Sequence, residues 1–137
     1  MRVRKAALLP LLAVLAAAPA VAHHSFAMFD QTKTVVLKGT VQEFQWTNPH
    51  SWIELQVPNA SGGTDKWGIE LNSPNNLTRQ GWRRSIIKPG DIVTVTINPL
   101  RNGLKGGLFN TIVLPDGKTL GGERATNGQA INVPTSN

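Results

Sequence analysis

Apolar side chains recur at every second position along much of this sequence, and that spacing commits the chain to β-structure. Ile53, Leu55 and Val57 alternate with Trp52, Glu54 and Gln56. Trp67, Ile69 and Leu71 alternate with Gly68 and Glu70, and Val93, Val95 and Ile97 with Thr94 and Thr96. A helix would need apolar residues three and four apart. A strand sends successive side chains to opposite faces, so each run predicts one buried and one outer face.

The punctuation between these runs predicts the order of elements. Lys33 to Trp46 reads as one long strand carrying Val35, Val36, Leu37, Val41, Phe44 and Trp46. Its alternation changes phase near Gly39, which predicts a bulge or bend there. Thr47-Asn48-Pro49 is a turn signal, and Ser51 to Val57 a second strand. The Gly/Asn/Ser loop from Pro58 to Asp65 leads to a third strand, Lys66 to Leu71. Ser73 followed by Pro74 is a helix start, a capping side chain before a proline at the first helical position. Gly81 ends that helix, which therefore spans Pro74 to Gln80. Lys88-Pro89-Gly90-Asp91 turns into the fourth strand, and a fifth runs from Gly107 to Leu114. Pro115-Asp116-Gly117 then turns back into a short return strand, Lys118 to Leu120. Three strands, a helix and two strands predict a mainly β protein. The fold expected is a small OB-fold-like five-stranded barrel with one short helix between strands 3 and 4.

The first residues belong to a different kind of segment. Arg2, Arg4 and Lys5 precede an apolar run from Ala6 to Ala18, and Ala20-Val21-Ala22 has the small-x-small form of a cleavage site. This predicts a signal peptide over residues 1–22 and an exported, periplasmic protein. The run is too short, and too interrupted by Pro10 and Pro19, for a transmembrane span of about 20 residues. The single domain is then expected over residues 23–120, with a disordered tail of Gly, Asn, Thr and Ser over 121–137.

Cleavage changes the electrostatic reading. The chain carries 14 basic and 8 acidic residues, a charge of +6, and loss of three basic residues leaves +3. That mild surplus argues against a nucleic-acid partner. Arg79, Arg83, Arg84 and Lys88 cluster around the short helix and are expected to form a solvated surface. With no cysteine, disulfides, iron–sulfur clusters, thiolate zinc sites and a cysteine nucleophile are excluded.

Histidine carries what metal chemistry remains. Cleavage after Ala22 makes His23 the first residue, with an α-amino group beside its own imidazole. Their ordinary pKa values, about 7.7–8.0 and about 6.5, let a metal displace both protons near neutral pH. His50 or His24 would supply a third nitrogen, and a nitrogen-rich set favours copper among divalent ions. Met28 is a candidate soft ligand for Cu(I) and Asp30 a candidate oxygen ligand. Trp46 and Trp52 flank the Thr47–Ser51 turn. Trp52 and Glu54 share the outer strand face with His50, a surface on which a sugar or base could stack. Alternatively Phe26 and Phe29 cover that face and bring the N-terminal histidines toward His50. No paired carboxylates and no Gly-x-Ser-x-Gly elbow are present, so no catalytic residues are assigned.

Several pieces recur together: His23-His24-Ser25-Phe26, Trp46-Thr47-Asn48-Pro49-His50, Ser73-Pro74-Asn75-Asn76-Leu77, Gly81-Trp82 and Lys88-Pro89-Gly90-Asp91. In order and spacing they resemble a domain-of-unknown-function family of small exported proteins, chiefly from Gram-negative bacteria. The resemblance implies a periplasmic, single-domain β-protein and places His23, His24 and His50 in motif positions. It implies no activity. Two readings follow: a metal carrier or accessory protein, copper favoured, or an OB-like module binding an oligosaccharide, peptide or partner protein. A copper redox enzyme ranks behind both.

Overall fold

The structure, a computed structural model, describes residues 26–121. The expected signal peptide, His23, His24 and residues 122–137 lie outside the described residues.

The alternating runs become strands in the expected order. They are β1 (Val35–Gln45), β2 (Trp52–Pro58), β3 (Thr64–Glu70), β4 (Ile92–Pro99), β5 (Gly106–Val113) and β6 (Thr119–Gly121), with one helix, α1 (Pro74–Arg79), between β3 and β4. The sheet runs β3-β2-β1-β4-β5-β6, and β3 also pairs with β5. That extra pairing closes β1 to β5 into a five-stranded barrel of OB-fold type. All neighbours are antiparallel except β3 and β5, which pair in parallel through Gly68↔Gly106, Ile69↔Gly107 and Glu70↔Leu108. Among the described residues no helix is long and apolar enough to cross a membrane.

Inward alternation fills the barrel. Ile53, Leu55, Ile69, Val95, Ile97 and Ile112 are closed off entirely from solvent. Ser73 caps α1 by accepting from the Asn76 amide. α1 buries Leu77, and Gly81 then takes a positive φ of 86° that turns the chain back. Trp82 consequently lies over the barrel's open end, edge-on to Phe109 at 5.3 Å and tilted against Phe44 at 6.0 Å. Gly121, expected at the start of the tail, pairs with Thr111, and its carbonyl accepts from the Trp82 indole.

The irregularity in β1 falls later than expected. Register against β2 slips between Val41 and Glu43, not at Gly39. Gly39 instead marks a close approach, since a Cβ there would stand 2.5 Å from the Gln56 carbonyl oxygen. Gly107 meets the same constraint at the β4–β5 seam, where a Cβ would lie 2.5 Å from the Asn98 oxygen and 2.6 Å from Ile97 Cδ1. Gly107→Ala should therefore cost about 1–3 kcal/mol by overpacking. Urea denaturation would register this, and an unchanged midpoint would show that the seam gives way easily.

Candidate functional site

The turn after β1 ends on His50, and hydrogen bonds hold it. The Thr47 hydroxyl donates to the His50 carbonyl at 2.8 Å. Beyond His50 the Ser51 amide donates to Asn72, and the Leu71 amide donates to Ser51. Ser51 is thereby turned inward and fully buried. Alternation puts His50 on the outer face with Trp52, which opposes Glu70 across β3.

Glu70 is the residue that sequence reasoning missed. Its place in the Trp67–Leu71 alternation marks it as outward, which normally means solvated. Its side chain is nevertheless only 4% exposed, against 33% for His50, and its carboxylate meets His50 Nδ1. A buried carboxylate needs a partner, and His50 supplies it. A carboxylate only accepts, so the neutral ring carries its proton on Nδ1 and its free lone pair on Nε2. Metal-ligating histidines are oriented in this way. The only signal in the sequence was a carboxylate ending the strand paired with the one that follows His50. Strand register also sets Glu43 opposite Glu54, a pairing not legible from spacing.

The remaining candidates are scattered. Asp30 is buried at the end of β4, where its amide donates to the Pro99 carbonyl. Its carboxylate accepts from the Thr32 hydroxyl at 2.7 Å and meets Lys33 Nζ at 3.2 Å. It therefore organises its own turn. The pairing path from Asp30 through Pro99 and Gly107 to β3 leaves it about three strand spacings, roughly 14–15 Å, from Glu70 along the barrel wall. Met28 is exposed on a single 3-10 turn, Phe26–Met28. Trp46 packs edge-on against Phe44 at 5.7 Å, a core role. Trp52 is half-buried, and Glu54 pairs with Lys66 at 2.7 Å. Only one of the two phenylalanines expected to cover the outer face is buried. Phe29 bridges to Leu100, whereas Phe26 is 57% exposed. Among the described residues no three His, Asp or Glu side chains assemble for a metal. They provide one oriented imidazole and its carboxylate.

The hydrogen bond from Thr32, and then Lys33, hold the Asp30 carboxyl down from 3.8 to about 2. A lowered carboxyl pKa stabilises the fold above the unfolded value, and that contribution is lost as pH falls through the folded value. Asp30→Asn should therefore be less stable than wild type at pH 6, and the difference should close as pH falls from 3.8 to about 2. Paired denaturation curves across that range would reveal it, and a difference independent of pH would contradict it.

A family of unknown function (DUF6152) matches residues 11–110. No curated protein matches the chain. Among solved structures the chain is similar to the mitochondrial single-stranded DNA-binding protein Rim1 of S. cerevisiae, at 14% identity and a TM-score of 0.44. The match covers 60% of this chain and 93% of that one.

Proposed function

The chain belongs to DUF6152, a family of unknown function, so its role has to come from its own residues. We propose that it is an exported, periplasmic protein that binds a transition-metal ion, copper foremost, as a carrier or accessory protein. One observation supports this reading above the rest. The buried Glu70 carboxylate meets His50 Nδ1, and in its neutral form a ring held in this way presents Nε2 to a metal.

The other donors come from the residues freed by processing. His23 offers its amine and imidazole, and His24 a further imidazole. Copper bound there would have an all-nitrogen environment, which the absence of cysteine and the order of divalent affinities both favour. Three peptide links separate His23 from Phe26 and span at most about 10–11 Å, which bounds how far the His23 amine can lie from the described part of the chain.

Titrating Cu(II) into processed protein, followed by calorimetry and visible absorption, tests the proposal. One equivalent should bind tightly, and one extra residue before His23 should weaken it by an order of magnitude or more. Affinity indifferent to that extension would remove the amino-terminal chelate. Affinity indifferent to His50→Ala would remove the barrel's part in the site.

A further inference from the structure

A second concave feature lies away from His50, between the segment joining α1 to β4 and the turn joining β5 to β6. It is a cleft of about 410 Å³, within the range of small-ligand sites. Two tight turns build its walls. Gly90 takes a φ of 92° in the Lys88–Asp91 turn, and Gly117 a φ of 83° in the Leu114–Lys118 turn. The latter is clamped by the Leu114 amide donating to the Lys118 carbonyl at 2.8 Å. Both walls rest on paired strands, because Val41 exchanges backbone hydrogen bonds with Gly90 and Asp91. Ile86 and Leu114 supply an apolar lining.

The charges on this lining are unevenly used. Asp91 is engaged by Lys88, whose amide donates at 3.0 Å and whose ammonium lies at 3.2 Å. Asp116 accepts from the Lys118 amide at 2.9 Å. That leaves the Arg83 guanidinium, the Lys118 ammonium and the Asp116 carboxylate without an ion pair among the described residues, a surplus of one positive charge on the lining. Ser85 also lines the cleft, and the exposed Arg84 stands between it and Arg83 in the sequence.

We infer that this cleft binds a phosphate-bearing ligand. A phosphomonoester carries about −1.5 to −2 charge at neutral pH, which the Arg83 and Lys118 cations attract against the single unpaired carboxylate of Asp116. Arginine holds phosphate through parallel N–H donors, and lysine adds a point charge. The lining of Ile86 and Leu114 accommodates the carbon body that the phosphate is attached to. The same chemistry is presented by a soluble phosphate ester and by the headgroup of an anionic lipid.

The experiment runs both sources against processed protein with a chelator present, so that its outcome is independent of metal binding. Amide shifts are followed by NMR while inorganic phosphate and glycerol 3-phosphate are added. Co-sedimentation is measured with phosphatidylglycerol vesicles, using phosphatidylcholine vesicles as the neutral control. Saturable shifts confined to residues 83–91 and 114–118 assign a soluble ester. Binding to anionic vesicles alone assigns a headgroup. In either case Arg83→Gln and Lys118→Gln should each weaken binding by about tenfold. Lys38→Gln removes one exposed charge on β1 and should change it less than twofold. Equal losses from all three variants would reduce the effect to net charge and overturn the site, as would no saturable binding in either arm.

Discussion

Truncating Trp82 to alanine should lower the free energy of unfolding by about 3–5 kcal/mol, the range for large aromatic cavities. That is a large part of the total stability of about 5–15 kcal/mol expected for a single domain. Trp82 is 2% exposed and spans the gap between Phe44 on β1 and Phe109 on β5. It also donates to Gly121 at 3.4 Å, tying β6 to the same end of the barrel. Its removal therefore opens a void, dissolves two aromatic contacts and leaves the Gly121 carbonyl without that donor. Trp52→Ala is the informative control, because Trp52 is half-buried on the outer face. Urea unfolding of the two variants should separate them by about 2 kcal/mol or more. Equal losses would mean that Trp82 is not the lid of the core.

The second large effect concerns metal. Glu70→Gln keeps the size of the side chain and an oxygen acceptor but removes the carboxylate that orients His50. Loss of such an orienting partner typically weakens metal binding by about 10–100-fold. The variant should therefore bind copper correspondingly less tightly while unfolding close to the wild-type midpoint. A purely structural Glu70 would give the opposite pattern, with stability reduced and copper affinity unmoved. His50→Ala is a poorer probe taken alone. It strands the buried carboxylate and so combines a ligand loss with a desolvation penalty of about 1–3 kcal/mol.

The barrel was legible in the sequence because period-two alternation and glycine or proline turns are local signals. The five strands with expected bounds emerged within two residues of them, and α1 within one. The bulge was misplaced for a physical reason. Gly39 breaks the apolar pattern because β2 passes close to it, whereas the slip at Gln42 occurs between residues that look ordinary. The site was half legible. His50 stood out as a rare residue in a turn, but Glu70 acquired its partner only through the pairing of β2 with β3. Outward parity implied solvent, and the neighbouring turn supplied burial instead. Asp30 shows the converse. Its oxygen was a reasonable candidate ligand, yet a hydroxyl two residues away and an ammonium three residues away had already claimed it.

The barrel's pairings differ widely in reach along the chain. The β1–β2 and β2–β3 hairpins join near neighbours in sequence, whereas the parallel seam brings Gly68 to Gly106 and the β1–β4 ladder brings Val35 to Ile97. Such non-local closure is entropically slow. Until it forms, β3 and β5 each present an unsatisfied edge to other chains. Gly106, where a Cβ would stand 3.0 Å from the Gly68 carbonyl oxygen, thus lies on an edge that stays open to aggregation until the barrel closes.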